Sequence, residues 1–296
     1  MDVKSEIRDF LTSRRGRITP QDAGLTVFGP RRVPGLRREE VATLAGLSVD
    51  YYNRLERGNL AGASDSVLDA LADALRLDEA ERAHLFDLAR AGQPAPRARR
   101  RPGAQTVRAS VQWMLDSMSS SAAFAENGRL DALGANQLGR ALYPGLFTDN
   151  RRQPGNWARY VFLDPGSPAF YGDWERAAKD CVAILRSEAG RNPHDRELSD
   201  LVGQLATQSD EFRGLWAAHN VRLHTKGVKR FNHPIVGELE LSFERLELAA
   251  DPGLMIVVYT AEPGSRHADA FGLLASWAAT DGESRQRPAP HPEPGA

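Results

Sequence analysis

The chain has 296 residues, is 41% hydrophobic and 26% charged, and carries a net charge of −1. That length suits two domains of ordinary size, and the composition is that of a soluble globular protein. No apolar run would span a bilayer, no charged-then-apolar leader is present, and the single Cys181 excludes an internal disulfide and any zinc site of several cysteines. A cytoplasmic protein with no membrane partner is the expectation.

The near-zero total hides an asymmetry. Residues 1–104 hold 18 basic and 15 acidic side chains, whereas the remainder holds 20 and 24. From Arg14 to Arg38 there are seven arginines and one acid, Asp22. Such a run is either a solvated face or the approach to an anionic partner. Here it leads into RREEVATLAGLSVDYYNRLERG, residues 37–58.

That stretch reads as two short helices around a glycine. Val41, Leu44 and Ala45 fall at i, i+3, i+4 and make one apolar stripe. Gly46 stands where a helix ends by entering the left-handed region, and Leu47 plugs the angle between the helices. Ser48 is a good N-cap for the second helix, in which Tyr52 and Leu55 face inward and which Gly58 closes. Ala42 is small where the helices cross. Two helices joined by so short a turn form a helix-turn-helix, whose second helix can lie in the major groove of duplex DNA. The outward residues are then Val49, Asp50, Tyr51, Asn53 and Arg54. Val49 suits a thymine methyl, Asp50 a cytosine amino group, and Arg54 a guanine or a phosphate. Arg37 and Arg38 sit at the positive end of the first helix, where the dipole disfavours cations; Glu39 and Glu40 relieve part of that strain and phosphates would relieve it too. Arg57 is a further phosphate clamp. A plain amphipathic hairpin would show the same stripe; the combination of Ala42, Gly46, Ser48, paired arginines and Gly58 favours DNA.

The stretch RRVPGLRREEVATLAGLSVDYYNRLERG closely resembles the helix-turn-helix of XRE-type (Cro/C1-like) bacterial regulators, over roughly residues 2–90. The resemblance implies an all-α bundle of five helices: residues 2–13, the quoted pair, SDSVLDALADALR opened by Ser64, and DEAERAHLFDLAR. Val67, Leu68, Leu71, Leu75, Leu85 and Leu88 supply apolar faces. It also implies that Arg38 contacts phosphate and that Val49, Asp50 and Arg54 face bases. The domain expected is 1–91.

GQPAPRARRRPGA, residues 92–104, has no apolar period and reads as a linker. A helix follows around TVRASVQWMLDSM. Asn127-Gly128 signals a two-residue hairpin turn between short strands, and QLGRALYPGLF returns to helical spacing. DWERAAKDCVAILRSEAGR is an amphipathic helix with Trp174, Ala178, Cys181, Val182 and Leu185 on its inner face, stopped at Gly190. DRELSDLVGQLAT and SDEFRGLWAAH add two helices. VRLHTKGVKRFNHP, the strictly alternating GELELSFERLELA, and LMIVVYTAEPG are strands, followed by a helix SRHADAFGLLASWAA and a Pro-rich, disordered tail over 280–296. An α+β domain follows, with an antiparallel sheet covered on one face and flanking helices.

Residues 105–279 look like the ligand-binding domain of MmyB-like regulators, whose fold is similar to a PAS domain. The matching residues are Asn156, Arg159, FLDP at 162–165, DWE at 173–175, Arg186, AGR at 189–191, LVG at 201–203, Ser209, Phe212, Trp216, HNVR at 219–222, KR at 229–230, HP at 233–234 and Gly237. The resemblance implies a pocket for a small, largely apolar, fatty-acid-like molecule. Gly134 departs from the family pattern, which has a larger residue there. Such a pocket needs apolar walls and a few polar groups. Phe212, Trp216 and Phe243 are candidate walls, with Arg159 and His219 as anchors. The competing reading makes the aromatics core, pairs Arg159 with Asp164, and uses His219 to cap a helix end.

Cys181 lies on an apolar helix face, as a structural thiol does, rather than in the electropositive setting of a nucleophile. His219, His224 and His233 have no metal-ligand spacing, and no phosphate-cradling glycine loop is present. Neither an enzyme, a metal nor a cofactor is expected. Two functions compete: a homodimeric regulator of operator DNA whose second domain senses an apolar effector, and a DNA-binding regulator whose second domain serves only dimerisation or docking.

Overall fold

Five helices open the chain: α1 Val3–Arg17, α2 Arg38–Leu44, α3 Val49–Glu56, α4 Asp65–Ala74 and α5 Glu79–Ala91. This computed structural model describes residues 2–26, 31, 33–92, 106–147, 154–221 and 225–286. Ser48, Ser64 and Asp78 begin α3, α4 and α5 by accepting from the backbone N–H of Tyr51, Val67 and Glu81, so polar side chains meet donors that the first helical turn leaves unpaired. Ile7, Phe10 and Leu11 of α1 join Val41, Tyr52, Leu55, Leu68, Leu71, Leu85 and Leu88 in one core. Two expectations need correction. The first helix runs four residues beyond 13, to Arg17. Leu44, placed on the inward stripe, is 38% exposed, because α2 ends there and Leu47 fills the space in its stead.

The sheet has strands β1 Ala122–Asn127, β2 Ala132–Ala135, β3 Lys226–His233, β4 Gly237–Glu247 and β5 Leu254–Thr260, ordered β2-β1-β5-β4-β3 with every pairing antiparallel. Along β4, Leu239, Leu241 and Phe243 turn inward and alternate with Glu240, Ser242 and Glu244, the period-2 pattern of a half-buried strand. Helix α6, Ala109–Asp116, packs Val111 and Leu115 on Ala123, Ala125 and Ile256. The aromatic ring of Phe124 points to the other face, where it meets Tyr143, Trp157 and Tyr259. The sheet is therefore covered on both faces where β1 and β5 lie, and not on one face only. That is why all six residues of β1 are buried.

The turn after β1 also differs from expectation. Asn127 is still in the strand, and its Oδ1 accepts from the backbone N–H of Arg129 and of Asp131, each at 3.0 Å. The left-handed residue is Leu130 (φ 65°) rather than Gly128. The side-chain cap, tied into Asn156 through Asp131, replaces the two-residue turn that the Asn-Gly pair suggests. Gly134 lies against α6: a Cβ there would come 2.9 Å from Gln112 Oε1.

The remaining helices are α7 Gln137–Leu142, α8 Trp157–Leu163, α9 Ser167–Phe170, α10 Trp174–Arg191, α11 Arg196–Gln208, α12 Asp210–Ala217 and α13 Arg266–Gln286. Helix α10 does not stop at Gly190 but continues to Arg191. Helix α13 runs into the stretch read as a disordered tail, whose residues 287–296 lie outside the described residues, as do 93–104 of the linker. Among the described residues no helix is long and apolar enough to cross a membrane.

Packing divides the chain into two units that are interleaved in sequence. One combines Met1–Pro102 with Ala178–His224, and the other Gly103–Ala177 with Thr225–Ala296. Most of α10 and all of α11 and α12 thus belong with the helix-turn-helix, although they follow the expected boundary at 105.

Candidate functional sites

In the first unit the helix-turn-helix has the geometry its residues imply. Gly46 takes φ +65° after the C-cap of α2, a conformation that costs glycine least. Helix α3 then divides cleanly. Tyr52, Leu55 and Glu56 are buried, while Val49 (43% exposed), Asp50, Arg54 and Arg57 stand in solvent. Tyr51 and Asn53 are half-buried, and the Arg54 guanidinium lies over the Tyr51 ring, 5.7 Å from its centroid. The Ser48 hydroxyl is engaged as the cap of α3.

Beneath this face sits a buried carboxylate that the sequence reading passed over. Glu56 accepts from Arg15 Nε at 2.9 Å and Thr12 Oγ1 at 3.2 Å, both on α1, and from Arg38 Nε on α2. It thereby joins three helices and fixes the root of Arg38, whose side chain stays 56% exposed. Its signal was available: position 56 follows Leu55 and lies four residues after Tyr52, on the inner face of α3. Glu40 plays a similar part at the start of α2. It accepts from the Arg37 backbone N–H at 2.6 Å and from Arg31 at 2.7 and 2.8 Å, and its carboxyl is held down at about 2, first by the Arg31 hydrogen bond. Arg37 reaches Glu39 at 3.4 Å, and its side chain is 41% exposed.

The arginine run from 14 to 38 is thus mostly scaffold. Arg14 and Arg17 bind Glu81, Arg15 binds Glu56 and Arg31 binds Glu40. Arg32 lies outside the described residues.

In the second unit, rings from the sheet and from helices α8 and α9 converge on Tyr143, which is fully buried. Phe170, Phe124 and Phe231 lie 5.5, 5.6 and 5.6 Å from it, centroid to centroid. Its hydroxyl is 3.4 Å from that of Tyr259. Burial, reinforced by the neighbouring Tyr171 and Tyr259, raises its pKa well above the ordinary phenol value. At the rim, the Lys229 ammonium lies 5.3 Å from the Phe243 centroid and 5.9 Å from that of Tyr259. His233 Nε2 is 3.0 Å from the Ala141 carbonyl, and its Nδ1 accepts from the Ile235 N–H at 3.3 Å, an arrangement that suits the neutral ring.

The five residues named as ligand walls and anchors are divided between the two units. Phe243 lines the aromatic cluster. Arg159 lies in α8, where its backbone N–H caps onto Asn156. Phe212, Trp216 and His219 belong to the first unit, with Phe212 stacked on Trp216 at 5.6 Å. Trp216 in turn lies under the Arg186 guanidinium, 4.2 Å from the ring centroid. The residues that do converge, Tyr143, Phe170, Phe231 and Tyr259, are scattered through the sequence without a period that links them. Cys181 is buried on α10.

Comparison with known protein families gives two matches. Residues 107–274 match the MmyB-like transcription regulator ligand binding domain, and residues 6–85 match a helix-turn-helix domain. No curated protein matches the chain.

Proposed function

The chain belongs to the MmyB-like transcription regulators, and from that membership and the outward face of α3 we propose that it reads duplex operator DNA as a homodimer. Helix α3 enters the major groove with its N-terminal residues against base edges. Val49, Asp50 and Arg54 read bases, flanked by Ser48, Tyr51 and Asn53, while Arg37, Arg38 and Arg57 hold phosphates. Two copies read half-sites about 10 bp apart. The observation that carries this reading is the division of α3, in which the side chains suited to base edges are those the core leaves in solvent.

Electrophoretic mobility shift with a duplex selected from a random pool tests it. Arg38→Ala weakens binding to all sequences alike and lowers the salt slope by about one, whereas Arg54→Ala flattens the base preference. An unchanged preference in Arg54→Ala removes that residue from base readout.

The second domain senses a small, largely apolar, fatty-acid-like effector on the inner face of the sheet. Its walls are drawn from Tyr143, Phe170, Phe231, Phe243 and Tyr259, with Lys229 at the rim to meet a carboxylate. The effector shifts operator affinity only by binding the DNA-competent and incompetent states unequally. Native mass spectrometry of the purified chain, with and without added fatty acid, reads its presence. A second reading, docking of another chain, is favoured by Trp113, Leu273 and Trp277, which are 70%, 67% and 42% exposed on α6 and α13. A dimer that binds no apolar ligand supports it.

A further inference from the structure

Glu6, Phe10, Arg14 and Arg17 recur along one stripe of α1, and every one of them meets α5 or the segment from α10 onward. Glu6 pairs with Arg186 of α10, and His219 Nδ1 lies 3.5 Å from the same carboxylate oxygen. Arg186 is itself completely buried and also donates to the Trp216 carbonyl. Arg14 donates to the His219 carbonyl and Arg17 to the Asn220 side chain. Val221 is buried in the same apolar core as Ile7, Phe10 and Leu11 of α1. Phe10 meets His84 edge-on at 5.0 Å, and His84 lies so close to α10 that a Cβ on Gly190 would stand 2.7 Å from its ring.

Arg186, Gly190, His219, Asn220 and Val221 lie within the stretch that matches the ligand-binding family. Their contacts here are made to the helix-turn-helix. His219 holds φ +51°, a left-handed conformation that persists in a residue other than glycine where its surroundings over-determine it. Burying Arg186 with Glu6 is a costly way to gain stability but an effective way to select one register, since a shift of either helix leaves a charge unpaired.

The opposite side of α1 carries Thr12 and Arg15, which hold Glu56 of the recognition helix and, through it, Arg38. We infer that residues 178–221 act as a clamp on α1, and that α1 relays the state of the clamp to α3. Helix α1 is then the element that both the effector-family segment and the DNA-reading helix bias, which is what a coupling between two sites requires. The inference rests on the DNA-binding reading for its consequence, but the relay itself can be tested without DNA.

The experiment is hydrogen exchange, read by mass spectrometry on the full chain, for residues 3–17 and 49–56. Arg186→Met leaves Glu6 buried without its cation. It accelerates exchange in both segments at least tenfold and weakens binding to the selected duplex about tenfold. Glu6→Gln combined with Arg186→Met removes both charges and restores most of the protection. Faster exchange confined to α1 and α10–α12, with α3 at the wild-type rate, overturns the relay. Should Arg186→Met lose its helical circular dichroism, His219→Asn, which tolerates the same backbone angle, is read in the same way. A wild-type chain that binds no duplex refutes the DNA reading alone, because the exchange pattern still decides the relay.

Discussion

In the first unit, helices are cross-linked by arginine–carboxylate pairs: Arg15 and Arg38 on Glu56, Arg31 on Glu40, Arg14 on Glu81, Arg186 on Glu6. In the second unit, short helices α8 and α9 are held to the sheet by rings around Tyr143. Both units face the same problem, which is to hold short helices that would be marginal alone. Charge pairs penalise any slip of register, so they suit a unit that must present one helix at a fixed angle. Rings tolerate several offset arrangements at similar energy, so they suit a domain whose interior must adapt to a small molecule.

The largest break in this comparison is on the aromatic side. Tyr143→Ala costs about 4 kcal/mol by leaving a cavity among the rings, and Tyr143→Phe about 1 kcal/mol. Urea titration at low and high salt should give the same losses, since no charge is involved. On the charged side, Glu56→Ala leaves Arg15 short of its partner and costs about 3 kcal/mol. It also loosens Arg38, so DNA affinity should fall, but less than in Arg38→Ala, which removes the phosphate contact itself.

Acid sharpens the contrast. Burial depresses the His84 imidazole to about 3, so the unfolded chain takes up the proton first and stability drains as pH falls below about 6.5. The Glu6 carboxyl lies at about 2: burial works to raise it, but the His219 hydrogen bond and the Arg186 charge outweigh that. Its contribution is complete above the ordinary carboxylate range and is lost as pH falls toward 2. Both losses draw on the first unit as pH falls from neutrality toward 3, the His84 part beginning first. Segment-resolved hydrogen exchange should show residues 3–17 opening first, and His84→Leu should remove the part of the loss that begins near pH 6.5. His233, whose pKa burial also lowers, gives the second unit a weaker response of the same sign. The smallest effect is expected at the exposed cross-strand pair Arg230–Glu240, where Arg230→Ala should leave the thermal midpoint unchanged.

How much of this was legible depended on range. The helix-turn-helix was read from neighbours within four residues: Gly46 turning, Ser48 capping, Tyr52 and Leu55 facing inward. The alternation of β4 was equally plain. The Asn127 turn was misread because its side chain serves as a cap tied to Asn156, 29 residues on. The arginine run looked like one basic surface, but its partners Glu56 and Glu81 come from other helices. Phe212, Trp216 and His219 carried the family resemblance without revealing which unit they would join.

Local order around the helix-turn-helix therefore belonged to the sequence alone: that two short helices flank Gly46, that Ser48 opens the second, and that this helix offers Val49, Asp50 and Arg54 outward. Those outcomes follow from periodicity and from backbone donors that nearby side chains must satisfy. Partnership was decided in three dimensions. A charge such as Arg186 or Glu6 has no preferred companion along the chain, and only the folded arrangement brings the two together out of water and makes each the other's solvent.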